Sequence, residues 1–162
     1  LAFTYPLMKR FTYWPQLFLG ITFNYGLLLG WTSIYGNISI IPLIFYMGAI
    51  FWTLGYDTIY GFQDLEDDEI IGVKSTSIKF KNNPKFFLSI CYSVFIIVYL
   101  IMGYLLKYNE IFYLGCLIIA YHMFYFQIFN FNKLNKLKCL KIFKSNNLLG
   151  LIILINIFVG KF

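Results

Sequence analysis

A chain of 162 residues that is 60% hydrophobic and 12% charged, with mean hydropathy +0.71, lies outside the range of soluble domains, where about a quarter of residues carry charge. Its net charge of +6 comes from lysines set between apolar runs, which argues against nucleic acid as a partner and for the orientation of a membrane protein. The expected fold class is all-α, a multi-span transmembrane helical bundle.

The chain opens on Leu1 inside an apolar stretch, with no basic region or small-residue cleavage site ahead of it, and reads as a piece whose start lies upstream. A loop from Lys9 to Pro15 carries Lys9 and the single arginine, Arg10. The charge-free run from Phe11 to Tyr56 is long enough for two helices, and Gly36 and Asn37 supply the backbone freedom of a reversal that divides it into spans at about 16–35 and 38–59. Next comes YDTIYGFQDLEDDEIIGVKST, Tyr56 to Thr76, which holds six of the seven acidic residues within thirteen positions, Asp57 to Glu69. Further spans at about 86–106, 111–131 and 147–160 make five, the last of them short. Their connections are the short LKYNE at 106–110 and the lysine-rich NKLNKLKCLKIFK at 132–144. If connections alternate sides, eleven Lys and Arg fall on one side and two, Lys107 and Lys161, on the other. The acidic stretch then faces the cytoplasm, or a mitochondrial matrix.

With no proline in YDTIYGFQDLEDDEI, the second helix is predicted to run past the membrane surface for about two or three turns. On such a helix Asp57, Asp64 and Asp68 occupy a sector about 40° wide, and Gly61 on the same face leaves room for a ligand. Asp64 and Asp68 stand about 6 Å apart along the axis, and Asp57 about 10 Å further back. Like charges at this spacing cost a few tenths of a kcal/mol each, roughly, and desolvation beside lipid costs more, so a counter-cation relieves the arrangement. Hard oxygen ligands with open positions suit Mg²⁺, and equally Mn²⁺, with the rest of the shell taken from water and a substrate's phosphates. The bland alternative is a solvated acidic helix end; segregation of the acids to one face at a membrane border argues against it.

Cys91, Cys116 and Cys139 are far apart and lack C-x-x-C spacing, so they read as apolar packing residues, not disulfide or zinc ligands. His122, within AYHMFYF and without a partner at ligand spacing, reads as a packed, hydrogen-bonded histidine. The segment 132–144 fixes topology, with anionic lipid headgroups as an alternative partner.

YDTIYGFQDLEDDEIIGVKST resembles the second aspartate-rich motif of the UbiA prenyltransferase superfamily, in its 4-hydroxybenzoate polyprenyltransferase branch, where the pattern reads approximately YDTxYAxxDxxDDxxIGxKST. Gly61 stands where that family usually has alanine. YPLMKR, with Tyr5, Lys9 and Arg10, is similar to the family's Y-x-x-x-K loop element followed by arginine, and NNLLG at 146–150 is similar to the segment opening its last helix. These matches place residues 1–162 along the carboxyl-terminal part of a single UbiA-like membrane domain. The amino-terminal half, with its first motif N-D-x-x-D-x-x-x-D, is absent from the chain.

The resemblance implies an enzyme, an aromatic polyprenyltransferase of ubiquinone biosynthesis. Two Mg²⁺ ions held by the two aspartate motifs would bind the diphosphate of an allylic polyprenyl donor, and the ring of 4-hydroxybenzoate would attack the allylic cation ortho to its hydroxyl. It implies metal ligands at Asp64 and Asp68, catalytic roles for Asp64, Asp68 and Arg10, and diphosphate or substrate contacts from Tyr5, Lys9, Arg10, Asp57 and Lys74. The planar fork of Arg10 suits a substrate carboxylate or the diphosphate alike. On the residues alone, Lys9 and Arg10 read first as positive-inside anchors, and Lys74 as a partner for Asp68 or Glu69. The implied partners are polyprenyl diphosphate, 4-hydroxybenzoate, the lipid bilayer and the absent amino-terminal half, needed for activity; composition leans toward a bacterial inner membrane, with the acidic site facing the cytoplasm. The alternatives are another aromatic acceptor, which the YDT and IGVKST flanks argue against, and an inactive truncated or split membrane fragment. A cation transporter would need its ionisable groups near mid-bilayer, whereas these sit at the end of a span.

Overall fold

Among the described residues, five helical segments are long and apolar enough to cross a membrane: Pro15–Tyr35, Ile40–Gly61, Pro84–Leu105, Glu110–Phe129 and Lys136–Lys161. The chain is an integral membrane protein with the all-α architecture that the sequence predicts. The computed structural model describes residues 5–162, without the side chains of Tyr5 and Pro6. In chain order, α1 (Tyr5–Phe11) precedes a first span made of α2 (Pro15–Phe23) and α3 (Tyr25–Tyr35), and α4 (Ile40–Gly61) is the second span. The short α5 (Leu65–Ile71) and α6 (Thr76–Lys79) lie beyond its end. The third span is α7 (Pro84–Leu105); the fourth is α8 (Glu110–Tyr121), continued by a π-helical stretch (His122–Phe129); the fifth is α9 (Lys136–Lys161).

The first span is interrupted at Asn24, whose side-chain amide donates to Gly20 O (2.8 Å), Ala49 O (3.3 Å) and Thr53 Oγ1 (2.8 Å) and so ties the break to α4. Gly36 closes α3 in the left-handed conformation (φ 69°), the turn expected from Gly36 and Asn37. The fourth span widens to π geometry, which brings residues five apart together: Gln127 Nε2 lies 3.3 Å from His122 Nδ1, so His122 is packed and hydrogen-bonded as expected.

Two expectations are corrected. The second helix does not run on past the membrane surface: α4 stops at Gly61, and α5 starts after a turn. The tight bonds Phe62 N→Ile59 O (3.3 Å) and Gln63 N→Tyr60 O (3.0 Å) close α4 and bury Phe62 against Phe131, 5.2 Å between ring centroids. Burial of this large ring outweighs the modest gain of extending a helix into water. The lysine-rich segment is likewise not all connection. Helix α9 begins at Lys136, where the Asn135 side chain accepts from Lys138 N at 2.9 Å, and spans 26 residues, so the last span is long.

The core lies between α4 and α7, with α8 and α9 closing it. In lipid no hydrophobic drive separates helix from solvent, so close approach and internal hydrogen bonds decide packing. Gly48 faces Val98, and Gly55, two turns on, lies beneath the fully buried Tyr92 ring; a Cβ at either would collide with α7. One set of polar side chains is satisfied across helices: Trp52 Nε1 and Gln127 Nε2 both donate to Asn146 Oδ1 (2.9 and 3.0 Å), and Tyr92 donates to Gln127 Oε1 (2.5 Å). The three cysteines are buried and unpaired, in keeping with a packing role. Because the Tyr92 ring has nowhere to move, Gly55→Ala is expected to destabilise the bundle by about 1–3 kcal/mol, read as a lower melting midpoint of the purified protein in detergent.

Candidate active site

The segment after the acids folds back onto the end of α4 because that end offers buried hydrogen-bonding groups. Thr58 donates to Leu54 O (2.6 Å) and shares a hydrogen bond with the Thr76 hydroxyl (2.6 Å). Ser77 donates to Thr58 O (2.8 Å), and Thr76 N donates to Oε1 of Gln16, which is 3% exposed at the head of α2. Ser75 caps α6 by accepting from Ile78 N (3.2 Å). Gly61 sits directly against the Ser77 hydroxyl, where a Cβ would collide. The space beside Gly61 is therefore taken by this returning segment and is not room for a ligand, which corrects the sequence expectation.

With both its ends fixed, the intervening chain forms α5 and presents Glu66, Asp67 and Glu69 outward. Asp64 stands exposed just before α5, its carboxylate making no capping bond to the helix. Asp68, one turn on, is 8% exposed and takes the Lys9 ammonium at 3.1 Å, with the second carboxylate oxygen at 3.4 Å. Gly72 ends α5 in the left-handed conformation (φ 77°), and two residues later Lys74 N donates to Lys9 O at 2.7 Å. The α1 element and the GVKST segment are thus joined through backbone and side chain at the same residue. Asp57 lies half-buried on the last turns of α4.

Of the residues singled out from sequence, Lys9, Asp57, Asp64, Asp68 and Lys74 gather around this corner. Lys74 does not pair with Asp68 or Glu69: its ammonium lies over the Tyr13 ring, 5.6 Å from the centroid, while Lys9 takes Asp68 and Lys81 takes Glu69 (2.6 Å). Arg10 follows Lys9, exposed, with no carboxylate partner among the described residues. Tyr5 opens α1, one helical turn before Lys9; its side chain lies outside the described part. Sequence reasoning missed Gln16, Thr58, Thr76 and Ser77 as positioning residues. An amide at the head of an otherwise apolar run was the available signal for Gln16. It also missed a cavity of about 360 Å³ whose walls include Asn24, Trp52, Thr53, Tyr56, Phe143 and Asn146, one turn before Asp57 along α4.

Two carboxylates one turn apart, one exposed and one held by an ammonium, are hard oxygen donors. Among the described residues no group of three His, Cys, Asp or Glu converges to hold a metal ion. Such a donor set suits a cation that carries the rest of its shell on phosphate and water.

Fold and site together define a class, the multi-span membrane bundles whose acids and cations gather at one end of the spans. The chain belongs to the UbiA prenyltransferase family, whose model matches residues 1–151. It is 40% identical to the mitochondrial 4-hydroxybenzoate polyprenyltransferase of Drosophila melanogaster, over 99% of this chain and 41% of that protein. It is 41% identical to the human mitochondrial 4-hydroxybenzoate polyprenyltransferase, over 99% and 43% of the two chains. It is also 41% identical to 4-hydroxybenzoate geranyltransferase 1 of Lithospermum erythrorhizon, over 99% and 52%. The chain thus spans about two fifths to one half of the length of these relatives. No solved structure matches it.

A partly exposed ion pair contributes about 1 kcal/mol or less. Asp68→Asn is therefore expected to raise the exchange rate of the Lys74 amide, whose acceptor is Lys9 O, by about threefold to fivefold, read by hydrogen–deuterium exchange.

Proposed function

We propose that the chain acts in transferring a polyprenyl group from an allylic polyprenyl diphosphate to the ring of 4-hydroxybenzoate, in ubiquinone biosynthesis, as the part of the enzyme carrying the second aspartate motif. The observation that carries this reading is the Lys9–Asp68 pair: elements 59 positions apart, each matching a family motif, meet at 3.1 Å at the end of a span. Family membership and the names of the relatives support it.

In this reading Asp64 and Asp68 would hold Mg²⁺, with Mn²⁺ suiting the same oxygens. When bound with the diphosphate, the ion would supply Lewis-acid neutralisation of the charge that develops on the leaving group. Lys9 binds the diphosphate: its ammonium exchanges the Asp68 carboxylate for phosphate oxygens, and that exchange frees Asp68. Arg10, next to Lys9 and exposed, orients the acceptor's carboxylate or a second phosphate oxygen through its planar fork. Lys74, tied to Lys9 by backbone, and Asp57, on the last turns of α4, complete the polar ring, with Tyr5 placed one helical turn before Lys9. Trp52, Tyr56 and Phe143 wall the adjoining cavity with π-faces, suited to shielding an allylic cation from water.

The first aspartate motif is, in this reading, supplied by an amino-terminal half joined to or encoded with this chain. The corner lies on the side that receives eleven of the thirteen cations, cytoplasm or matrix. Relatives whose names give a compartment are mitochondrial, and a bacterial inner membrane draws no support from them.

The test is Mg²⁺-dependent transfer of a polyprenyl group to labelled 4-hydroxybenzoate in membranes, with this chain alone and with the amino-terminal half of a related enzyme. Product is expected only with both halves, and removal of divalent metal abolishes it. In the combined enzyme Asp64→Ala and Asp68→Ala are each expected to lower turnover by about a hundredfold or more with membrane insertion intact. Normal turnover by either variant sinks the metal-ligand assignment, and product on a different aromatic acceptor alone sinks the substrate assignment.

A further inference from the structure

The fold sorts the lysines by partner. Lys9, Lys81 and Lys136 meet carboxylates, Asp68 at 3.1 Å, Glu69 at 2.6 Å and Glu66 at 3.7 Å. Lys85, Lys133 and Lys138 meet none among the described residues, and the structure brings these three to the wall of one surface cavity of about 530 Å³. Asparagine amides, among them Asn130 and Asn132, line it between them, and no acidic residue does. Lys85 donates to Phe129 O (3.0 Å) and Lys133 to Lys81 O (2.9 Å), so two of the ammonium groups are positioned by backbone carbonyls. An ammonium has three donors, and each of these has donors to spare.

The position of the cavity narrows the ligand. It lies where three spans end together: the start of α7, the end of the π-helical stretch and the approach to α9. That is the level of the lipid headgroups. Phe86 and Phe129 also line it, 70% and 67% exposed, and present apolar surface next to the cations. A free phosphate ion has no use for that surface, whereas a phospholipid sets acyl chains directly beside its phosphate. We infer that this cavity binds the phosphate headgroup of an anionic membrane phospholipid, with Lys85, Lys133 and Lys138 around the phosphate and Phe86 and Phe129 against the adjoining chain. None of Lys9, Asp57, Asp64 and Asp68 lines it, although Lys133 also lines a neighbouring cavity with Glu66, and the inference is independent of the proposed reaction. Lys133 reaches it from the lysine-rich segment, whose charges thereby have a structural use beyond topology.

The test is native mass spectrometry of the purified chain titrated with phosphatidylglycerol, with phosphatidylcholine and with inorganic phosphate. Saturable binding of one phosphatidylglycerol, weak binding of phosphatidylcholine and no displacement by millimolar phosphate are expected. At roughly 1 kcal/mol per lysine, the pair Lys133→Gln with Lys138→Gln is expected to weaken phosphatidylglycerol binding about thirtyfold. Lys141→Gln with Lys144→Gln, which removes equal charge from outside the cavity, is expected to leave it within about twofold. Lys133→Arg with Lys138→Arg keeps binding, which separates loss of the site from loss of folding. Equal weakening by the two glutamine pairs, or equal binding of both lipids, overturns the proposal. Tight binding of inorganic phosphate that displaces the lipid overturns the lipid assignment in favour of a soluble anion.

Discussion

The hydrogen bonds between the end of α4 and the returning segment at Thr76 and Ser77 are the interaction on which the acidic corner depends. Thr58 donates to Leu54 O and meets the Thr76 hydroxyl, Ser77 reaches Thr58 O, and Gln16 takes the Thr76 amide from the first span. Each of these groups is buried, so each unmade bond would cost roughly 1–3 kcal/mol, and the segment has one well-satisfied way to lie. Once it is seated, the stretch from Phe62 to Gly72 must loop out and back. That loop is α5, and its geometry carries Asp68 to Lys9.

The same logic runs through the interior in a different form. Lipid offers helices neither a hydrophobic reason to associate nor a partner for a polar side chain, so the bundle relies on fit and on closed hydrogen-bond sets. Gly48 and Gly55 let α4 and α7 approach until Val98 and Tyr92 fill the gap. Asn146 links α4, α9 and the π-helical stretch by accepting from both Trp52 and Gln127. The scaffold is tightly determined at α4 and α7, while the corner above it is made of short helices joined by partly exposed ion pairs. Local opening is cheapest there, which suits the proposed entry of a charged ligand.

Charge is distributed to match. The exposed carboxylates of Glu66 and Glu69 are met by Lys136 at the start of α9 and by Lys81 in the turn before α7, and the buried Asp68 is met by Lys9. Asp64 and Arg10, one of each sign, stand exposed beside this pairing. In the proposed reading a diphosphate with its cation brings both signs at once, and the corner presents both. Membership of the UbiA prenyltransferase family rests on nearly the whole chain, and Lys9, Asp57, Asp64, Asp68 and Lys74 from its motifs lie around one corner of the fold.

Membrane insertion, the number of spans and the gathering of the acids at the end of one span were legible in the sequence. Bilayer thickness fixes the length of an apolar run, and carboxylates are too costly near lipid to gather without cause. Motif spacing named the acids, but it could not say which cation would face which of them: a continuous helix and a helix–turn–helix satisfy the same apolar pattern. Burial of Phe62 against Phe131, some seventy positions away, breaks the helix, and burial of the Gly61 face beneath Ser77 fills the space a ligand was expected to use. The union of Lys85, Lys133 and Lys138 at one cavity was hidden for the same reason. Local pattern follows from the solvent each residue must face, and the sequence by itself determined that much. Which residues share a site depends on contacts between distant segments, and only the tertiary structure decided those.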